Sequence, residues 1–222
     1  MPKSSPPGVV APDRDCPLCP RLAAFRAENR ARFPGWHNAP VASFGPDRAR
    51  LLVVGLAPGL RGANRTGRPF TGDYAGDLLY DTLIRFGFAE GRYEARAGDG
   101  LRLVDCRITN AVRCLPPENR PTGAEARACR PFLAGEIAAL DGLLVIVALG
   151  TVAHAAVARA LGLRLAVARF AHGALHPLPN DRWLADSYHC SRYNTNTGRL
   201  TEAMFHDVFR AVRARLDGAA GS

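Results

Sequence analysis

The chain has 222 residues, 47% of them apolar, and its 29 Lys and Arg outnumber 20 Asp and Glu for a net charge of +9. That length suits one domain with a sizeable core, and that apolar content excludes a disordered chain. The basic excess favours a polyanionic partner, nucleic acid ahead of an acidic membrane surface, although a generally basic surface reads the same way.

Residues 1–15 (MPKSSPPGVVAPDRD) are rich in Pro and Ser and read as a flexible tail without an apolar export segment. From Cys16 a helical pattern runs through PRLAAFRAENR, with Leu22, Phe25 and Ala24 on one face. Buried strands are predicted at 50–56 (RLLVVGL), 101–108, 143–149 (LLVIVAL) and 183–187 (WLADS), and helices at 75–86, 123–140, 152–161 and 199–216. The apolar run 143–149 is too short to span a bilayer, so a cytoplasmic chain associated with the nucleoid, with no membrane partner, is expected. Strands without clean alternation, interleaved with helices, predict a three-layer α/β/α sandwich around a mainly parallel four-stranded sheet. A single domain is expected over 16–217, followed by a short tail at 218–222. Ligands of open α/β sheets sit beyond the carboxyl ends of the strands. The loops after Leu56, Ile108 and Trp183 are therefore where chemistry is expected.

Six cysteines in a chain of this length, without an export signal, argue against a disulfide scaffold. Cys16 and Cys19 form C-P-L-C, and Cys114 and Cys129 frame CLPPENRPTGAEARAC. One close pair and two spaced thiols suit an iron–sulfur cluster; a zinc ion or ordinary buried thiols remain open on spacing alone. Cys106 lies in a strand pattern and reads as a small buried apolar residue.

Three segments carry a more specific signal. GLAPG opens residues 55–77, ITNAVRC covers 108–114, and SYHCSRYNTNTGRL covers 187–200. In this order they resemble the motifs of the uracil-DNA glycosylase superfamily, most closely its family-five (type B) branch. The early C-P-L-C-P-R-L and the late C-R-P-F-L are similar to the cluster ligands of the iron–sulfur branches. The resemblance implies a DNA repair glycosylase that excises uracil and other deaminated or damaged bases from double- or single-stranded DNA, working as a monomer. It also implies a 4Fe–4S cluster on Cys16, Cys19, Cys114 and Cys129.

The residue types suit those roles. A base must leave the duplex to be reached, and its polar edge is then read in a pocket. The Asn110 amide both donates and accepts, as a uracil edge requires, though Asn also caps loops. Phe70 offers a flat face for stacking, or belongs to the core. By resemblance His189 donates to the base carbonyl oxygen, and Asp73 positions water or stabilises the sugar cation, unless it only caps the helix that follows. Ser191 and Arg192 stand in the same segment as His189 and are expected against the substrate. Arg192, Arg65 and Arg68 are expected to meet phosphates or loops, or to be solvated surface charges. Ala57 stands where other branches place a water-activating side chain, and Gly59 where the strictly uracil-specific branch has an aromatic wall. Both are expected to line an enlarged base pocket. Cys190 replaces the usual Pro after the His, which implies a less stiff loop. Two competing readings use the same fold: a non-catalytic DNA-binding member, kept open by Ala57, and an enzyme that traps the abasic sugar on a loop His. No Arg-rich loop ending in His supports the second.

Overall fold

The computed structural model describes residues 11–219, so most of the tail expected over 1–15 and most of that over 218–222 lie outside the described residues. The chain runs α1 (Pro20–Arg32), β1 (Leu51–Gly55), α2 (Ala63–Thr66), α3 (Tyr74–Arg85), β2 (Ala89–Glu90), β3 (Arg102–Leu103) and β4 (Cys106–Asn110). It continues through α4 (Gly123–Ala139), β5 (Val145–Leu149), α5 (Thr151–Ala160), β6 (Leu175–Pro177), β7 (Trp183–Ser187), α6 (Arg192–Asn196) and α7 (Glu202–Gly218). Among the described residues no helix is long and apolar enough to cross a membrane.

Five strands form the main sheet in the order β4–β1–β5–β7–β6. The expected parallel core of four is present, with Gly55 beside Asn110, Val54 beside Ala148 and Leu149 beside Ser187. The fifth strand corrects the expected count: β6 pairs antiparallel with β7 at the edge. Its three partly exposed residues are too few to show a period, and Pro177 is tolerated because it closes an edge strand.

Every residue of β1 and β5 is buried, because helices cover both faces. Leu51 and Val53 pack with Leu79 and Leu83 of α3 and Phe205 and Phe209 of α7. Leu52 and Val54 pack with Leu133 and Ile137 of α4 and Val157 of α5. Each such aliphatic side chain contributes about 1.5–3 kcal/mol through burial, and a one-residue slip would exchange the two sets.

Three further expectations are corrected. The strand expected over 101–108 is interrupted: Asp105 adopts a positive φ of 54° and accepts hydrogen bonds from the backbone N–H and side chain of Arg50. What precedes it belongs to a separate β2–β3 ribbon. The last helix begins at Glu202 rather than 199, because the Thr201 hydroxyl caps it by accepting from the Met204 N–H. On α1 the inward face carries Leu22, Arg26 and Asn29, while Ala24 is exposed and Phe25 only partly buried.

Polar residues where helices meet have specific partners. Arg21 makes a bidentate ion pair with Glu125, whose carboxylate also closes the capping box of α4 with Thr122, so α1 and α4 are tied at their N-termini. Under the other end of α4, Glu136 is fully buried between Arg107 of β4 and Arg113 just after it. Burial pushes the Glu136 carboxyl up, but Arg113, Ser43 and Arg107 together hold it below the usual carboxylate range.

Removing the centre of this network leaves the interior Arg113 guanidinium without a carboxylate and Arg107 with only the exposed Asp47. Glu136→Ala is expected to lower stability by about 3–5 kcal/mol in urea unfolding, whereas Asp47→Ala, which removes the exposed partner of Arg107, should cost less than about 1 kcal/mol.

Candidate active site

The connection after β1 leads toward β4 and the connection after β5 leads toward β7, so a topological switch lies between β1 and β5. A cavity of about 880 Å³ opens at these carboxyl ends. It is lined by every residue expected to act on the base: Ala57, Gly59, Phe70, Asp73, Asn110, His189, Ser191 and Arg192. It also takes in Gly150, Thr151 and Val152 after β5, with Phe170, Tyr188 and Arg199, which sequence reasoning missed. The strand-end rule applied to the loop after Leu149 points to the first three. Phe170 lies in an irregular segment that carries no motif.

Gly55 closes β1 and brings two of these side chains together. A Cβ there would lie 2.4 Å from Oδ1 of Asn110 and 2.5 Å from Cζ of Phe70. Only a residue without a side chain lets the amide and the ring approach the strand end. Phe70 itself sits at a positive φ of 51°, a strained conformation for a bulky residue that its surroundings must hold. They do so through hydroxyls on either side: Tyr80 donates to Pro69 O at 2.7 Å and Tyr93 to Phe70 O at 3.1 Å. Arg68 makes a bidentate pair with Asp99, both bonds 2.7 Å, beneath the rings of Phe44, Tyr80 and Tyr93. Of the readings open for Arg68, the loop contact is the one found: it is buried and braces the Phe70 turn rather than standing as a surface charge. Arg65 is exposed and does not line the cavity.

Asp73 caps α3, with Oδ1 accepting from the Gly76 N–H. Its Oδ2 faces Gly59 and Gly62, where added Cβ atoms would lie 3.0 and 2.1 Å away, so the carboxylate fills the space a side chain at 62 would need and borders the one at 59. Burial raises the Asp73 pKa against the pull of the Gly76 and Ala75 N–H groups. The His189 ring lies 5.9 Å from that of Phe70 at an interplanar angle of 27°. Burial lowers its pKa to about 4, so the imidazole is neutral at neutral pH. Among the described residues neither the Asn110 amide nor the His189 imidazole has a protein hydrogen-bond partner.

The loop holding His189 is anchored at its neighbour. Cys190 is fully buried and donates to Ala75 O at 3.4 Å, tying the loop to the start of α3 in place of proline stiffness. Ser191 caps α6 by accepting from the Asn194 N–H, and Arg192 is exposed over the Tyr74 ring.

Cys16, Cys19, Cys114 and Cys129 line one small recess with Leu22, Val112 and Phe132. Arg26 reaches both segments, donating to Cys16 O and to Sγ of Cys114, while the Arg113 N–H donates to Sγ of Cys129. Ala57 packs against this cluster from the active-site loop. Cys106 and Cys190 are buried elsewhere, Cys106 within β4 as expected.

A family model, that of the Uracil DNA glycosylase superfamily, matches residues 42–213. A Type-5 uracil-DNA glycosylase of Thermus thermophilus is 48% identical over 209 residues, covering 91% of this chain and 94% of that protein. One of Mycobacterium tuberculosis is 44% identical over 212 residues, covering 89% and 77%. One of Pyrobaculum aerophilum is 40% identical over 204 residues, covering 90% and 88%.

The state of His189 is directly measurable. Its imidazole should titrate in NMR with a midpoint near 4, and a midpoint near the ordinary 6.5 would contradict the burial argument. Because the folded value is depressed, the unfolded chain takes up the proton first as pH falls. Stability should therefore decline as pH drops from 6.5 toward 4, and His189→Gln should flatten that slope.

Proposed function

This chain belongs to the uracil DNA glycosylase superfamily, and on that premise we propose that it removes uracil from DNA by hydrolysing the N-glycosidic bond, leaving an abasic site. The observation that carries the reading is the meeting of a flat ring, an unengaged amide and an unengaged neutral imidazole in one strand-end cavity. A flipped pyrimidine presents the matching features: a face to stack, an edge to read and a carbonyl oxygen to polarise.

As the bond to the base lengthens, its electron pair moves onto the base and positive charge grows on the sugar. Phe70 stacks on the base and Asn110 reads its edge. His189, neutral at working pH, donates an N–H to the carbonyl oxygen and stabilises the departing anion without transferring a proton. Asp73 uses Oδ1 to cap α3, leaving Oδ2 to orient water and face the sugar cation. Water adds to the anomeric carbon and gives up one proton, and the expelled base gains one. Ala57 contributes no polar group, so leaving-group stabilisation carries more of the barrier. Ser191 shapes the loop by its cap, while Arg192 and Arg199 at the rim hold phosphates. On this reading the protein acts as a monomer on double- or single-stranded DNA.

The small residues Ala57 and Gly59 leave no bulky wall against a C5 substituent. Excision therefore extends to at least one bulkier base, favouring those that leave the stack easily. Gly59→Tyr is a poor probe of this point, because a Cβ at 59 already presses on Asp73 at 3.0 Å.

The residues that would hold a 4Fe–4S cluster are Cys16, Cys19, Cys114 and Cys129. Sharing of one recess by four thiols supports that group. When bound, the cluster supplies iron–thiolate bonds that clamp α1 to the segment after β4.

Two measurements test these readings. In single-turnover assays on a panel of damaged oligonucleotides, the wild type should release uracil and at least one of hydroxymethyluracil, ethenocytosine and hypoxanthine. His189→Ala and Asn110→Ala should each slow uracil release at least about tenfold, or some 1.4 kcal/mol, with folding near normal. Wild-type rates in both variants would place the chemistry elsewhere. Anaerobically purified protein should be brown and contain iron with acid-labile sulfide; stoichiometric zinc without sulfide would overturn the cluster.

A further inference from the structure

Away from the strand-end cavity, α3 and α7 bring together a second set of donors. Glu202 and His206 share one face of α7 at i,i+4 spacing, and Asp81 of α3 approaches them from the neighbouring helix. One ligand atom from each of the three lies within 4.8 Å of the other two. The carboxylates are exposed, but His206 is only 6% exposed and its buried Nε2 has no hydrogen-bond partner. The nearest carboxylate oxygen, Oε1 of Glu202, is 3.7 Å away. That is too long for a hydrogen bond, though within the reach of an ion pair. Two metal–ligand bonds of about 2.1 Å span up to about 4.2 Å, and an ion among these atoms would engage the orphaned nitrogen. The other compact donor group differs in this respect. In His154–His176–Asp186, both nitrogens of His154 are engaged, by Asp186 at 2.7 Å and by Ala168 O at 2.8 Å, and Nε2 of His176 by Asp186 at 3.0 Å.

We propose that Asp81, Glu202 and His206 form a binding site for a divalent first-row transition-metal ion, with water in its remaining positions. One imidazole and two carboxylates suit ions from manganese to zinc and offer no sulfur. The ion would staple α7 to α3, the helix capped by Asp73. Because the ligands converge only in the folded chain, binding raises stability by linkage.

Mn²⁺ is the probe, since thiols are poor ligands for it and the cysteine recess does not compete. Titration of the full-length protein, followed by the electron paramagnetic resonance signal of free Mn²⁺, should give one saturable site per chain and a rise in thermal midpoint. His206→Gln should weaken binding about tenfold or more, with Glu202→Gln and Asp81→Asn also weakening it and His176→Gln leaving it unchanged. If His206→Gln fails to fold, the two exposed carboxylate variants carry the same test. The proposal is overturned by absence of saturable binding at millimolar Mn²⁺, by binding that survives His206→Gln or both carboxylate variants, or by loss in His176→Gln instead.

Discussion

The absence of a side chain at Gly55 is the constraint on which the rest of the site depends. β1 lies between β4 and β5, and parallel pairing sets Gly55 directly beside Asn110. The Asn110 amide thus arrives at the strand end through sheet register, while Phe70 arrives from a loop in the same layer. A single methyl at 55 would overlap both side chains. Positioning on a strand end is rigid, which suits an amide that must read a base edge. The loop component needs bracing, and the Arg68–Asp99 pair with the Tyr80 and Tyr93 hydroxyls supplies it around a strained Phe70.

The second organising element is a chain of contacts joining the cysteine recess to the cavity. Arg113 bonds to Glu136 beneath α4, and its N–H bonds to Sγ of Cys129, so the segment bearing Cys114 is held by an interior ion network as well as by packing. Ala57 touches the recess from one side and the cavity from the other. In the proposed chemistry a cluster needs no part in any step to matter. A cluster held there would fix the wall behind Ala57 by clamping α1 against this segment.

Several side chains serve two purposes. Asp73 caps α3 with one oxygen and faces the cavity with the other, so the helix-cap reading and the catalytic reading weighed from sequence are compatible. Cys190 turns a position where the family pattern has Pro into a buried tether to Ala75 O. The loop bearing His189 is held by a side-chain contact instead of a restricted φ. His189 gains its neutral state from burial alone, without a charged neighbour.

The sequence by itself determined the two central strands of the parallel core, because strands covered on both faces are near-continuously apolar and the runs of β1 and β5 are visible along the chain. It also determined part of the cavity lining, since the motif residues lie at strand ends and strand-end loops converge in any open α/β sheet. Only the tertiary structure decided which charges are interior. Arg68 reads equally as a loop contact or a surface charge until Asp99, 31 residues later, folds against it, and nothing in the sequence marks Glu136 as interior before Arg107 and Arg113 enclose it. The edge strand β6, the cavity wall from Phe170 and the orphaned nitrogen of His206 were hidden for the same reason. A local pattern records the period of burial along one element, whereas pairing partners, close approaches and unsatisfied atoms arise between elements distant in the chain.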